Sequence, residues 1–304
     1  MFHTRDIIKE LSYSFLVNDG IIPDIVKSIN IPTKKYPPFV YQSKDFSFFG
    51  MFMDFVIRAG LRINLNQLVD LNYPFDLGTH TNFINGTDEH VRNDLLNYNT
   101  TKNINDVAKT SLNLTSYMYN KTSYSHSDIQ KYVPTIVNIL KELTTKWISY
   151  SEYLNGTISY NKEYIYDNLF GHPDVVTDQC VLDIKTSCSF SKMAEQSCLQ
   201  VLTYYSLMKH TNPNVKYIGF ILPMQRDILI YDISEWDPNP FLQILSSKCK
   251  NNIVLNSIEY QELNEVINVL YQNTDTPVLF VNDSKIFTKI KLVYEYRKSY
   301  IKNE

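Results

Sequence analysis

The chain contains few of the residues that mark specialised classes of protein. Of its 304 residues, 8 are glycine and 12 are proline, which excludes collagen-like and low-complexity chains. Its four cysteines form no C-x-x-C pair, so the sequence predicts neither a zinc site nor a disulfide framework. No apolar run approaches the roughly 20 residues that span a bilayer, and residues 1–6 lack the pattern of a secretory signal. We therefore expect a soluble intracellular protein of the cytoplasm or nucleus, with no membrane partner.

No charge of one sign dominates the chain. The formal net charge is −3, so any nucleic-acid partner requires a local basic groove rather than a generally basic protein. Apolar surface, by contrast, is plentiful, because 44% of the residues are hydrophobic and 23 tyrosines and 16 phenylalanines are present. This composition excludes wholesale disorder. A folded chain of this length buries roughly 75% of its unfolded surface, which fits one large domain or a domain with an appendage.

The hydrophobic pattern has a helical period in the first half of the chain. Helices are predicted at 7–16, 47–61 and 128–150, and Asp45 and Ser47 are candidate N-caps of the second. A polar stretch, 63–126, has weaker periodicity and is interpreted as an elaboration on the core.

After residue 150 the period changes to two, which is typical of strands. Short turn sequences separate the predicted strands, and one helix, 191–209, interrupts them. The strands are predicted at 157–165, 174–176, 180–185, 217–222 and 227–233. The order β-β-β-α-β-β predicts an α/β (α+β) fold with a mixed central sheet flanked by helices, after a helical N-terminal lead-in.

We therefore expect a single domain with four parts. They are a helical lead-in at 1–62, the polar elaboration at 63–126, an α/β core at 127–235 and an extension at 236–304. The extension contains a predicted helix at 258–271 and a lysine-rich end, which either tracks a nucleic-acid backbone or forms a solubilising face.

Two acids and a lysine carry the chemistry that the sequence predicts. Asp183 and Lys185 face the same side of a strand because they are two residues apart. The preceding strand of the predicted hairpin can bring Asp174 to the same side. Carboxylates converging at a strand end favour Mg²⁺, which binds a few carboxylates, water and substrate phosphate. Each of these residues alone would be interpreted as a charged residue of a turn or strand end. The three together favour a metal site.

The sequences GHPD at 171–174 and DIKT at 183–186 resemble the core motif of the PD-(D/E)XK nuclease superfamily. Within it, the chain is most similar to the RecB-type and lambda-exonuclease-type branch. Gln200 and Tyr204 match the Q-x-x-x-Y motif of that branch, and the resemblance implies that they position DNA and the active site. As alternatives, both residues lie on the helix surface, with Tyr205 taking the packing role or Gln196 acting as the helix-face partner.

The sequence GMFMD at 50–54 resembles the G-x-x-x-E helix of the same branch, which delivers a further acid to the metal. Here the acid is Asp54, which is one methylene shorter than the usual glutamate. An aspartate on the exposed face of the helix, without a ligand role, is the alternative. Arg58, one turn later, is expected either to pair with Asp54 or to touch a phosphate.

The resemblance implies a restriction-endonuclease-like core that binds Mg²⁺, with Mn²⁺ as a substitute. The metal ligands would be Asp54, Asp174, Asp183 and the backbone carbonyl of Ile184, and Lys185 would assist the attacking water. An iron–sulfur cluster is not expected, because no cysteine precedes Cys180. The cysteines of the core are instead interpreted as small buried hydrophobes.

The resemblance therefore implies an enzyme, a metal-dependent deoxyribonuclease that acts in recombination, repair or replication. We expect an exonuclease rather than an endonuclease. One alternative keeps the fold and changes the substrate to RNA or structured nucleic acid, cut internally. Another is a catalytically silent module that binds nucleic acid or a protein. The sequence leaves two further possibilities open, a homo-oligomer and a helicase or recombinase partner. The abundance of Asn, Ile, Tyr and Lys indicates a gene from an AT-rich genome, such as a viral one.

Overall fold

A computed structural model of the chain describes residues 2–30, 46–65, 104–118, 131–187 and 189–249. The chain divides into two compact units, Met1–Ser246 and Ser247–Glu304, and nearly all of the second lies outside the described residues. The predicted helix at 258–271, the lysine-rich end and most of 63–126 also lie outside them.

Seven helices and eight strands lie within the described ranges, and six of the helices are labelled α1 to α6. The helices are α1 (Thr4–Ile8), α2 (Tyr13–Asn18), α3 (Phe46–Asn64), α4 (Ile104–Met118), α5 (Val133–Ser149) and α6 (Ala194–Thr211). The strands are β1 (Phe2–His3), β2 (Ser159–Tyr160), β3 (Tyr164–Tyr166), β4 (Leu169–Gly171), β5 (Val175–Val176), β6 (Cys180–Ile184), β7 (Tyr217–Leu222) and β8 (Asp227–Asp232). Short 3₁₀ turns precede α3 and α6, and a further helix begins at residue 239.

The central sheet has the strand order β2-β5-β6-β7-β8. The pair β6–β7 is parallel and the other three pairs are antiparallel, so the sheet is mixed, as predicted. Parallel neighbours need a crossover connection, and α6 provides it. The predicted order β-β-β-α-β-β is confirmed for this sheet.

One face of the central sheet is covered by α3, α4 and α5. Leu182 and Ile184 of β6 join the apolar faces of these helices in one continuous core. The aromatic stripe of α3, with Phe48, Phe52 and Phe55, is almost completely buried there. These rings therefore pack in the core, and burial of each contributes on the order of 2–3 kcal/mol.

On the opposite face, α6 lies between the central sheet and a second, smaller sheet of order β1-β4-β3. The structure buries α6 on both sides. Thr203 and Ser206 are therefore inside the protein. Their hydroxyls donate to the carbonyls of Leu199 and Leu202, each at 2.7 Å, which satisfies them locally.

Two predicted elements are each divided in the structure. The single helix predicted at 7–16 is wrong, because the hydroxyl of Ser12 accepts a hydrogen bond from the amide of Phe15 and starts a new helix, α2. The single strand predicted at 157–165 is β2 and β3, which belong to different sheets. Asn161 lies between them with φ of 50°, a left-handed conformation that turns the chain.

The helix boundaries also differ from the predictions. The helix α5 begins at Val133, later than predicted, and has Pro134 in its first turn, where a missing amide costs nothing. Ser47 lies inside α3 and so is not its N-cap, while Asp45 lies outside the described residues. The weak periodicity of 63–126 did not predict α4, which contributes Val107 and Leu112 to the core. Over the described ranges, no helix combines the length and apolarity that a bilayer crossing requires.

The close approach of β7 to β8 predicts opposite effects of two glycine-to-alanine changes. A Cβ at Gly219 would lie 2.2 Å from the Leu229 carbonyl oxygen, so the strands must shift, whereas at Gly50 the nearest atom is Thr186 Oγ1 at 3.5 Å. We expect Gly219→Ala to lower the free energy of unfolding by about 1–3 kcal/mol. Gly50→Ala should raise it by up to about 1 kcal/mol through helix propensity. Urea unfolding of both variants measures this, and equal effects would contradict the register of β7 and β8.

Candidate active site

Two carboxylates meet at the end of β6. In the β5–β6 hairpin Val175 pairs with Leu182, so the next positions outward, Asp174 and Asp183, lie opposite each other. Asp174 Oδ2 accepts a hydrogen bond from the amide of Ile184 at 2.7 Å, which fixes this carboxyl against β6. The structure therefore brings the two predicted acids together.

Lys185, the first residue after β6, adds a positive charge to these two acids. Its Nζ lies 2.5 Å from Asp183 Oδ2, and both side chains are largely withdrawn from solvent. The alternation of side chains along β6 places them on the same side, as predicted. The Lys185 amide also donates to the Ile221 carbonyl at 3.0 Å, so the backbone here is held by the sheet.

Two polar residues of α6 extend the contact made by the lysine. Lys185 Nζ donates to Gln200 Oε1 at 2.8 Å, and Gln200 Nε2 donates to Tyr204 Oη at 2.9 Å. Since an ammonium group can only donate, it fixes which way the Gln200 amide points. Both residues are buried, whereas the alternative partner Gln196 is exposed. The surface interpretation of Gln200 and Tyr204 is therefore wrong.

The glycine of the GHPD sequence has a steric role beside this site. A Cβ at Gly171 would lie 2.8 Å from Tyr204 Cε1 and 2.9 Å from Thr4 Oγ1. Only a residue without a side chain lets the tyrosine ring and α1 approach β4 this closely.

Asp54 lies on α3, whose first half reaches the end of β6, where Gly50 approaches Thr186. Its carboxyl forms an ion pair with Arg58, which is the first of the two interpretations of that arginine. Arg58 is itself buried and lies over the Phe55 ring. Burial raises the pKa of Asp54 to about 6 against the opposing charge of Arg58, and the charge of Asp174 raises it further. Asp54 therefore interacts electrostatically with Asp174.

Asp183 has no exposed surface. Burial raises the pKa of its carboxyl to about 7, the charge of Lys185 opposes this, and the neighbouring charge of Asp174 adds to it. Two carboxylates at close range resist simultaneous ionisation. The site therefore favours a further positive charge next to the pair.

The oxygen atoms available fit a magnesium ion in chemical type. Among the described residues, Asp183 Oδ1 and Asp54 Oδ1 are buried and lack a hydrogen-bond donor. No three His, Cys, Asp or Glu side chains within those residues form a ready metal cluster. Magnesium does not require one, because it binds through one or two carboxylates and keeps waters and substrate phosphate as its other ligands. Asp174, Asp183 and the Ile184 carbonyl would supply protein ligands, and Asp54 Oδ1 is a further candidate.

One residue of the site was not predicted from the sequence. Arg5, on α1, is exposed and interacts with Tyr204, Asp174 and Asp183. Desolvation lowers the pKa of Arg5, but the interaction with Tyr204 and the charges of the two aspartates outweigh it and raise that pKa above its usual value. Arg5 belongs to no motif, and no local spacing connects it to the acids, so the sequence contained no signal for it.

The core thiols behave as the sequence predicted. Cys180 and Cys198 are free and buried, and burial raises the pKa of both above its usual value. Protonated, buried thiols pack as small hydrophobes. Cys188 lies outside the described residues.

Comparison with protein-family models, with curated proteins and with solved structures gives no match. The functional assignment therefore depends on the geometry of the chain's own residues.

The raised pKa of Asp183 predicts how Asp183→Asn changes stability with pH in EDTA. Its pKa is 3.8 when unfolded and about 7 when folded, so between these values the folded state binds more protons. Wild-type stability should fall as pH rises through this window, while asparagine cannot titrate. The free energy of unfolding of the variant should therefore rise relative to wild type from pH 4 to 7 and level off above it. Urea unfolding across pH measures both, and parallel curves would contradict the burial of this charge.

Proposed function

We propose that the protein is a Mg²⁺-dependent nuclease that hydrolyses phosphodiester bonds in DNA, as an exonuclease of recombination, repair or replication. The observation that carries this proposal is the convergence of Asp174, Asp183 and Lys185 at the end of β6. Gln200 and Tyr204 are hydrogen-bonded to the same lysine. Asp174 precedes β5, Asp183 and Lys185 lie at the end of β6, and Gln200 and Tyr204 lie on α6, so three successive elements contribute to one polar group. This arrangement supports the PD-(D/E)XK resemblance.

The topology also supports a restriction-endonuclease-like core. Antiparallel strands β2, β5 and β6 are followed by the crossover helix α6 and the parallel strand β7. The acids lie at the hairpin β5–β6, the lysine ends β6, and the Q-x-x-x-Y residues lie on the crossover helix. This is the order of elements that the resemblance implies.

Each residue has a role that follows from its contacts. Asp174, Asp183 and the Ile184 carbonyl would hold the metal, with Mn²⁺ as a substitute for Mg²⁺. A bound divalent ion lowers the pKa of water and neutralises charge on a phosphodiester. Lys185 orients the attacking water and stabilises its developing negative charge. Gln200 holds the lysine in place, and Asp54 adds negative charge beside Asp174.

The experiment is cleavage of an end-labelled linear duplex and a supercoiled circle, with Mg²⁺ or with EDTA. We expect loss of the linear duplex in Mg²⁺ alone, with the circle spared. Lys185→Met keeps most of the side-chain volume and removes the charge, and it should lower the rate by about 10²–10⁴-fold. The matched control is Lys192→Met, an exposed lysine before α6, which should leave the rate unchanged.

Each other result assigns a different function. Cutting of the circle would indicate an endonuclease, and cleavage of RNA alone would change the substrate class. Binding of DNA without Mg²⁺-dependent cleavage of any substrate would contradict the proposal and favour a silent module.

A further inference from the structure

The N-terminal segment forms one wall of the candidate site. β1 pairs in parallel with β4, with His3 opposite Phe170, and α1 packs against α6. The contacts of Gly171 place Thr4 and Tyr204 on either side of the same backbone position. The start of α1 therefore lies beside the tyrosine that is hydrogen-bonded to Gln200.

Arg5, the next residue of this wall, keeps part of its surface accessible to solvent. Thr4 is buried, whereas Arg5 is exposed, and its amide donates to His3 Nδ1 at 3.0 Å, which fixes the first turn of α1. Its guanidinium interacts with Tyr204 and with the charges of Asp174 and Asp183. Asp54 is also within reach of its charge. Arg5 thus acts electrostatically on all three acids of the site.

Arg5 differs from the other two cations of the site in its accessibility. Lys185 is held by Asp183 and Gln200, and Arg58 is buried against Asp54. A guanidinium presents a planar fork of donors that matches phosphate oxygens, often in a bidentate arrangement. A partly desolvated guanidinium on a solvent-accessible residue, next to acids that would hold a metal, suits a ligand that is anionic and metal-binding at once.

We propose that Arg5 is a substrate-binding residue that contacts a phosphate group of the nucleic acid in the candidate site. This inference rests on the proposed nuclease function and adds to it a residue outside the motifs. Tyr204 orients the guanidinium, so the tyrosine serves both Gln200 and Arg5. The phosphate is either an internal phosphodiester or a terminal monoester, since the two share the chemistry that Arg5 recognises.

The test is DNA binding by Arg5→Gln in the Lys185→Met background with Mg²⁺, which separates binding from cleavage. Fluorescence anisotropy of a labelled duplex gives Kd over a range of salt concentrations. Loss of one charged phosphate contact should weaken binding by about 10- to 100-fold and lower the salt slope by about one. Lys9→Gln is the matched control, because Lys9 is an exposed cation that caps the C-terminal end of α1 and pairs with Asp6. It should change neither quantity.

A second background separates phosphate contact from positioning of Tyr204. Tyr204→Phe removes the hydroxyl that Arg5 contacts and keeps the ring packing. Arg5→Gln should weaken binding by the same factor with or without this hydroxyl. If its effect disappears in Tyr204→Phe, Arg5 acts only through the tyrosine and the inference is overturned.

Duplexes with phosphorylated and with hydroxyl ends identify the phosphate. An equal effect of Arg5→Gln on both assigns an internal phosphodiester, and an effect on phosphorylated ends alone assigns a terminal one. Urea unfolding checks that Arg5→Gln is folded, and we expect some loss of stability because Tyr204, Asp174 and Asp183 favour the charged guanidinium. Arg5→Lys keeps the charge, and an affinity between those of Arg5→Gln and its background supports the contact.

The inference and the proposed function fail differently. If the wild-type protein cleaves DNA and Arg5→Gln binds as tightly as its background, the function stands and the inference is wrong. If the wild-type protein neither binds nor cleaves nucleic acid, both are wrong.

Discussion

A carboxylate with no exposed surface, that of Asp183, lies 2.5 Å from the Lys185 ammonium at the end of β6. Burying a charge is costly unless it is paired, and each neighbouring feature reduces that cost. The Ile184 amide holds the second acid, Asp174, in place, and the Gln200 amide holds the lysine. The part of this cost that is not offset raises the pKa of Asp183. Three acids therefore share the end of β6 with cationic partners, and the opposite charges are held together by the packing around them.

The burial of α6 on both sides explains how the site is kept rigid. Most helices at protein surfaces offer one face to the core, but α6 contacts the central sheet on one side and the small sheet on the other. Its polar residues are either back-bonded to the helix, as with Thr203 and Ser206, or committed to the site, as with Gln200 and Tyr204. The side chains that contact Lys185 are therefore placed by packing from two directions.

Local patterns predicted the parts of the structure that local chemistry decides. The strands β6, β7 and β8 follow from alternation between turn residues, and the meeting of Asp174, Asp183 and Lys185 follows from hairpin geometry. The division of 157–165 between two sheets depends on Asn161 in a left-handed conformation, which alternation does not reveal. The buried helix α4 has too weak a period to be read locally. Arg5 joins the site only because β1 pairs with β4, a contact between distant parts of the chain.

Gly171 and Tyr204 lie on different elements, yet the space for one is set by the other, since a Cβ at position 171 would lie 2.8 Å from the tyrosine ring. Substitutions at these two positions are therefore coupled. In related sequences, a side chain at the position of Gly171 should occur only with a smaller residue at the position of Tyr204, and with a change or shift of Thr4, whose Oγ1 would lie 2.9 Å from the same Cβ. The first half of one motif and the last residue of another would then change together during divergence, although they are separated by a hairpin and most of a helix.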